Sequence, residues 1–220
     1  MTKQHNFVEL KNQRPNQPKG PLGLCFMKTI LFIDGRNFIS KINFALDPHK
    51  DKNIDISAYN FKGLIDKVLT DLSIDRKLFY LGKLLRYPET ISKSEKLIEQ
   101  QRKLKTHLEN QGFEVIIAGR VRGHIEKCIK GHENLIFKEK GVDVKIAVDM
   151  INLSHSGELK TAIICSSDSD LQPAIRSLED NKIERIYLGF EYSPNKGLTF
   201  TTNRTILIRN SELKEFIGRA

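Results

Sequence analysis

Two short, mainly apolar runs, each followed directly by acidic residues, constrain the fold of this chain more than any other feature. Residues 30–33 (ILFI) precede Asp34, and residues 161–165 (TAIIC) precede a turn that holds Asp168 and Asp170. Such an apolar run indicates a strand covered on both faces, as in a parallel sheet. Open α/β sheets bind their ligands beyond the carboxyl ends of the strands. The sequence therefore predicts chemistry at that edge.

Strand-like runs alternate with helical patterns over most of the sequence, which predicts an α/β fold with a three-layer α/β/α arrangement and a mainly parallel sheet. Residues 190–202 read as a flexible surface loop. Strands are predicted at residues 28–33, 76–81, 113–118, 161–165, 183–189 and 206–208. Helices are predicted at residues 38–45, 57–72, 92–111, 142–154, 171–181 and 211–217.

The length of 220 residues predicts one domain with appendages. We expect residues 1–26, which are rich in Asn, Gln, Lys and Pro, to form a flexible basic tail. Residues 27–220 are then a single domain. A basic insert near residues 119–140 interrupts its regular alternation of strand and helix.

The charge of the chain favours an anionic partner. The formal net charge is +9 and the sequence pI is about 9.4, and nucleic acid is the commonest partner of such a protein. The predicted RNA contacts are Arg36, Lys83, Arg86, Arg120, Arg122 and Lys140. The alternative for these side chains is an ordinary solvated surface. The sequence leaves open a protein partner or a homo-oligomer.

Several classes of protein are disfavoured by what the sequence lacks. No apolar stretch approaches the ~20 residues of a membrane span, and the N-terminus lacks the apolar core of a signal peptide. We therefore expect no membrane association and a cytoplasmic location. No glycine-rich phosphate loop follows a strand, which disfavours a nucleotide cofactor.

The cysteines favour neither disulfides nor zinc. Three cysteines at irregular spacing fit reduced thiols better than a disulfide framework. His124, Cys128 and His132 recur at intervals of four, but this spacing matches no common zinc pattern. We predict no zinc site there.

Four acids lie at predicted strand ends or helix starts: Asp34, Asp143, Asp168 and Asp170. Taken singly, each has a structural explanation, as a helix N-cap or as a negative charge near a helix N-terminus. Gathered at one sheet edge, they would repel one another unless protons or a cation intervened. Mg²⁺ or Mn²⁺ prefers such oxygen ligands and would support attack of water on a phosphodiester.

Three sequence blocks resemble the signatures of the NYN-domain (LabA-like) branch of the PIN-like ribonucleases. They are residues 33–37 (IDGRN), 140–150 (KGVDVKIAVDM) and 166–173 (SSDSDLQP), and the resemblance covers residues 28–189 in order. One departure is Ser167, which stands where the family often has glycine.

The resemblance implies a PIN-like fold that cuts RNA with a bound Mg²⁺ or Mn²⁺ ion. It makes four acids the metal ligands and catalytic residues: Asp34, Asp143, Asp168 and Asp170. It places Asn37 beside Asp34 to orient water or substrate, and it gives Asp149 a supporting role behind the ligands. The predicted function is thus a metal-dependent ribonuclease, expected to be an endonuclease.

Two other hypotheses remain at this point. One is a non-catalytic RNA-binding or regulatory adaptor that keeps the fold, because a fold does not by itself fix a function. The other is a nuclease or phosphatase acting on DNA or on a small phosphoester, since the same metal chemistry serves each substrate.

Overall fold

The fold is described by a computed structural model that covers residues 27–49, 55–86, 91–127 and 133–218. Within these ranges, the side chains of residues 92–93, 122–127 and 133–135 are not described. The tail predicted at residues 1–26 lies outside the described residues. So do Cys128, His132 and the side chain of His124, on which the prediction about zinc rested.

A seven-stranded sheet forms the centre of the fold, with the strand order β4-β3-β2-β1-β5-β6-β7. Neighbouring strands are parallel except β3 and β4, which are antiparallel. The prediction of a mainly parallel sheet is confirmed. The strands are β1 (Lys28–Asp34), β2 (Arg76–Leu84), β3 (Glu114–Lys127), β4 (Glu133–Lys140), β5 (Leu159–Cys165), β6 (Glu184–Phe190) and β7 (Arg204–Ile208).

Helices cover both faces of this sheet, so the predicted three-layer α/β/α arrangement is also confirmed. The helices are α1 (Gly35–Leu46), α2 (Phe61–Val68), α3 (Ile91–Asn110), α4 (Val142–His155), α5 (Gln172–Asp180), α6 (Lys196–Thr201) and α7 (Asn210–Glu215). Within the described ranges, no helix combines the length and the apolar character that a membrane span requires.

The alternation of side chains along β1 and β2 creates two hydrophobic cores, one on each face of the sheet. Leu31 and Ile33 point to the face covered by α1, α2, α3 and α7. Ile30 and Phe32 point to the face covered by α4, α5 and α6. Because β1 is buried on both faces, its carboxyl end, with Asp34, is held firmly at the centre of the sheet edge.

The basic insert near residues 119–140 is a β-hairpin arm, which the sequence analysis did not predict. Arg120 pairs with Lys140 at its base, and Lys127 pairs with Glu133 at the far end of the described register. Antiparallel pairing with β3, rather than burial in a core, stabilises β4, so its sequence carries no long apolar run. The arm returns the chain to the carboxyl edge, where α4 begins.

The prediction of a flexible loop at residues 190–202 is wrong. The segment contains the short helix α6, which begins where the side chain of Asn195 accepts a hydrogen bond from the N–H of Leu198. Leu198 is fully buried against the α5 face of the sheet. A helix of six residues has too few apolar positions to show a period, and tertiary packing stabilises it.

Gly35 fixes the position of α1 against the sheet. A Cβ atom on Gly35 would lie 2.4 Å from Cε1 of Phe79 and 2.5 Å from the carbonyl oxygen of Tyr80. Glycine is needed here because α1 begins in direct contact with β2 and leaves no room for a side chain.

Candidate metal centre

The turn after β5 places two acids at the carboxyl edge of the sheet. Asp168 caps the short 3₁₀ turn Ser169–Leu171, since its Oδ1 accepts a hydrogen bond of 2.9 Å from the N–H of Asp170. Of the two acids in this turn, Asp168 is therefore the one that acts as a cap. The turn is further tied down because the N–H of Asp168 donates to Oγ of Ser166 at 3.0 Å.

Asp143 reaches the same edge from the first turn of α4. The chain turns from β4 into this helix at Gly141, which has φ of +88° and which lies against Gly119 of β3. A Cβ atom on Gly119 would lie 2.3 Å from the carbonyl oxygen of Lys140. Two glycines in contact therefore allow the base of the hairpin arm to close tightly, and this closure directs the start of α4 toward the β5 turn.

Asp143, Asp168 and Asp170 form one group of carboxylates. Each offers an oxygen atom, and these atoms all lie within 4.8 Å of one another. Asp143 and Asp168 are half-buried and Asp170 is exposed. Two like charges about 4 Å apart repel by ~1 kcal/mol in bulk water and by ~4 kcal/mol near a protein surface. The negative charges of this group therefore repel one another, and a bound cation would reduce that repulsion.

Asp34 lies beside this group without belonging to it. Its Oδ1 accepts a hydrogen bond of 3.1 Å from the N–H of Asn37, which caps α1, and its Oδ2 accepts one of 3.3 Å from the hydroxyl of Ser166. Burial raises the pKa of the Asp34 carboxyl, the nearby charge of Asp168 raises it further, and both hydrogen bonds oppose the increase. Through Ser166, Asp34 is linked to the backbone of Asp168.

Asn37 and Asn195 support the β5 turn from two sides. The hydroxyl of Ser167 donates to Oδ1 of Asn37 at 2.6 Å. Nδ2 of Asn195 donates to the carbonyl oxygen of Ser167 at 2.8 Å and to Oγ of Ser169 at 3.2 Å. Asn37 was predicted to belong to the site, whereas Asn195 was not, because it lies in the segment that was expected to be a flexible loop.

Glu139 is a further acid of the site that the sequence analysis missed. Its Oε2 accepts a hydrogen bond of 3.1 Å from the N–H of Gly82. Burial raises the pKa of the Glu139 carboxyl, and the charges of Asp34 and Asp143 raise it further, while Arg36 and the Gly82 N–H act in the opposite direction. Recognising β4 as a strand would have revealed it, because exposure alternates along residues 136–140 and turns Glu139 inward.

Asp149 lies deeper along α4 than the other acids. It is six residues beyond Asp143, which corresponds to about 9 Å along a helix axis. The hydroxyl of Tyr80 donates to its Oδ2 at 3.0 Å, and Nζ of Lys145 lies 2.5 Å from its Oδ1. A carboxylate that is largely buried needs such partners, because leaving its charge without them is costly.

A cleft of about 1190 Å³ is lined by most of these acids, though not by Asp170, and by part of the predicted basic surface. Of the six predicted RNA contacts, Arg36, Arg120 and Lys140 line this cleft together with Asp34, Asp143 and Asp168. Lys83 and Arg86 do not line it, and Arg86 is paired with Glu95 at 3.4 Å. The side chain of Arg122 lies outside the described part of the chain.

The donor atoms of the site fit a hard divalent cation. Carboxylate oxygens are the ligands that Mg²⁺ and Mn²⁺ prefer, and Mg²⁺ is commonly held by only one or two carboxylates, with water completing its coordination. Asp168 already uses Oδ1 in its cap, which leaves Oδ2 available. The residues present therefore suit one such ion bound by Asp143, Asp168 and Asp170.

The chain resembles known proteins in sequence pattern and in fold. The family model described as the NYN domain matches residues 28–208. No curated protein matches the chain. A crystal structure of a protein of unknown function from Vibrio parahaemolyticus has a similar fold, with a TM-score of 0.51 and 16% sequence identity over 84% of this chain and 95% of that chain.

Proposed function

This chain belongs to the NYN domain family of PIN-like ribonucleases, and on that premise we propose that it hydrolyses phosphodiester bonds of RNA as an endonuclease. The cofactor in this proposal is one Mg²⁺ or Mn²⁺ ion. Asp143, Asp168 and Asp170 are the residues that would hold it.

One observation supports the proposal above the others. Three carboxylates from two separate segments of the chain offer oxygen atoms within 4.8 Å of one another, at the sheet edge where open α/β folds bind ligands. Capping accounts for Asp168 alone, since Asp143 lies within the first turn of α4 and Gly141 is the N-cap there. The crowding of the other two charges has a direct explanation if they serve a cation.

The residues of the cleft would have different roles in such a reaction. When bound, a divalent cation supplies Lewis acidity at the scissile phosphate and makes water a usable nucleophile at neutral pH. Arg36, Arg120 and Lys140 line the cleft and would hold the flanking phosphates by charge. Asp34 is a positioning residue in this scheme, because its hydrogen bond from Ser166 holds the β5 turn in place.

Cleavage assays with the full chain test the proposal. Circular single-stranded RNA, the matching DNA and bis(p-nitrophenyl) phosphate are each incubated with Mg²⁺, with Mn²⁺ and with chelator. We expect the RNA circle to be opened only when metal is present. Opening a circle requires an endonuclease, because a circle has no end for an exonuclease. RNA that is bound but left intact in both metals would contradict the proposal and favour a non-catalytic adaptor. Cleavage of DNA or the small ester in preference to RNA would also contradict it.

Neutralising the basic wall of the cleft should weaken RNA binding. We expect Arg120→Gln and Lys140→Gln to lower affinity for all single-stranded sequences alike and to reduce the slope of log K against log salt by ~0.7 for each phosphate that the variant no longer neutralises. The measurement is fluorescence anisotropy at several salt concentrations. Lys160→Gln is the matched control, because Lys160 is exposed near the amino end of β5. An equal effect of the control would show that only net charge matters.

Replacing Asn195 tests whether the β5 turn depends on the hydrogen bonds that the Asn195 amide donates to it. A serine hydroxyl can still accept the capping hydrogen bond at the start of α6. Serine has no side-chain amide, so the hydrogen bond to the carbonyl oxygen of Ser167 is lost. We expect Asn195→Ser to reduce kcat and Mn²⁺ affinity by ~10-fold, the low end for contacts behind metal ligands, with little change in Tm. The control is Asn181→Ser, which removes a 2.8 Å hydrogen bond to Ser154 at the other end of α5. Unchanged Mn²⁺ affinity in Asn195→Ser would contradict the positioning role.

A further inference from the structure

A second cavity of about 890 Å³ lies next to the acidic cleft. We call it the side pocket. Its lining is mostly apolar and comes from α1, α3 and the strands β2, β3 and β4. The main apolar side chains of the lining are Ile39, Phe44, Leu84, Leu97, Val121 and Phe137. Its volume falls within the ~300–1,000 Å³ typical of small-molecule sites.

The side pocket and the acidic cleft adjoin each other. Arg36, Ser40 and Glu139 line both cavities. The guanidinium group of Arg36 donates to the carbonyl oxygen of Phe137 at 3.1 Å, so this exposed cation is fixed at the boundary between them. A ligand that extends from the carboxylates into the side pocket passes the guanidinium group of Arg36 and the carboxyl group of Glu139, whose pKa is raised by burial, and then meets apolar walls.

The order of these surfaces corresponds to the chemistry of one nucleotide. A nucleotide carries a phosphate that a guanidinium binds and a base with two apolar faces and a polar edge. Phe44, in the apolar wall, packs against the ring of Tyr192 with the ring centroids 5.3 Å apart, yet the residue is 54% exposed, which leaves part of its surface available for contact with a base. Gln101 adds an amide to the lining and is held in place by donating to the carbonyl oxygen of Gly82 at 2.8 Å.

From the lining residues that the two cavities share, and from the order of their charged and apolar surfaces, we infer that the side pocket binds one unpaired nucleobase of the RNA, on a nucleotide next to the scissile phosphate. The inference rests on the proposed function and specifies how that site selects its substrate. Arg36 would hold the intervening phosphate, and the base would lie against Phe44. A base in a duplex is paired and stacked and cannot enter, so single-stranded RNA is the required substrate.

An abasic scan tests this inference. Short fluorescein-labelled single-stranded RNAs, each lacking the base at one position, are titrated into the full chain carrying Asp143→Asn so that the RNA stays intact. We expect a loss of affinity of ~10-fold at one position only, within the range that alanine substitution gives for base stacking. Phe44→Ala, added to that background, should weaken binding of intact RNA to the same extent and abolish the effect of the missing base.

Two further variants make the test specific. Leu97→Glu places a charge in the wall from α3, and it should reproduce the effect of Phe44→Ala without depending on that ring. Phe200→Ala removes a phenylalanine that is 88% exposed and lies outside the side pocket, and it should leave the scan unchanged. A thermal melt of each variant confirms folding.

The results separate this inference from the proposed function. An abasic scan that stays flat, or one that Phe44→Ala and Leu97→Glu leave unaltered, would overturn the inference even when the wild-type chain cleaves RNA. A position-specific effect that vanishes in both variants supports it. Failure of the wild-type chain to cleave RNA, together with such an effect, would overturn the nuclease proposal and leave the base pocket standing.

Discussion

Asp143→Asn should abolish most RNA cleavage while leaving the fold intact. Substitution of groups that merely support a metal ligand costs ~10–100-fold, so loss of a ligand itself should slow cleavage by at least ~100-fold. The variant keeps the shape of the side chain and removes one of three charges within 4.8 Å. In chelator, relief of repulsion should offset the ~0.3–1 kcal/mol that an acid contributes near a helix N-terminus, so Tm should change little.

The control for this variant is Asp180→Asn. Asp180 is exposed to solvent and ends α5 at the opposite edge of the sheet, away from the group of acids. We expect its cleavage rate and Mn²⁺ affinity to equal those of the wild type. Wild-type cleavage by Asp143→Asn, in a preparation free of contaminating nuclease, would show that Asp143 is only a helix-start acid.

Gly35→Ala should destabilise the protein strongly, although it adds only one methyl group. The new Cβ atom would lie 2.5 Å from the carbonyl oxygen of Tyr80, and a backbone atom in the sheet centre cannot move aside. Overpacking of this kind typically costs ~1–3 kcal/mol, which lowers Tm by roughly 2–12 °C for a chain of this size. Thermal unfolding followed by circular dichroism measures the change.

Gly112→Ala separates the clash from the general effect of replacing glycine. A Cβ atom on Gly112 would meet nothing within 4 Å, but its φ of +80° makes any side chain strained by ~1–2 kcal/mol. Gly35→Ala should differ from it in function as well, because moving α1 displaces Asp34 and Asn37 from the β5 turn. Normal RNA cleavage together with normal Tm in Gly35→Ala would contradict the role given to this contact.

The strands of the parallel sheet were predictable because a strand that is buried on both faces requires an uninterrupted run of apolar residues. Residues 30–33 are apolar without interruption, and a strand of that kind has few alternatives. β4 left no such mark, because its partner is β3 and its exposed residues alternate with partly buried ones. The arm was therefore recognisable only as a basic insert, although it positions Asp143.

The candidate site was predictable at the level of acids that follow strands and less so at the level of contacts. The positions of Asp143, Asp168 and Asp170 in the sequence indicated one edge of the sheet, and the structure brings their carboxylates together. Asp34 was expected among them, and the structure places it beside the group, with its oxygens accepting hydrogen bonds from Asn37 and Ser166. Hydrogen bonds between distant segments have no local signature, which is why the sequence could not reveal the contact with Ser166.

The same limit explains the residues that were missed. Glu139 lies in a strand whose pairing depends on a hairpin, and Asn195 reaches the β5 turn across a separate segment of the chain. Both side chains look like ordinary surface residues in sequence. The pairing of β4 with β3 places Glu139 beside the acids, and the hydrogen bond from Asn195 to the β5 turn holds Asn195 there.

The most direct test of the metal centre is anomalous diffraction from crystals of the full chain soaked in Mn²⁺. We predict one strong peak at ~2.1 Å from oxygen atoms of Asp143, Asp168 and Asp170, and its loss in crystals of Asp168→Asn. An anomalous map with no peak among these three carboxylates, from crystals whose cleft is open to solvent, would contradict the existence of this metal centre.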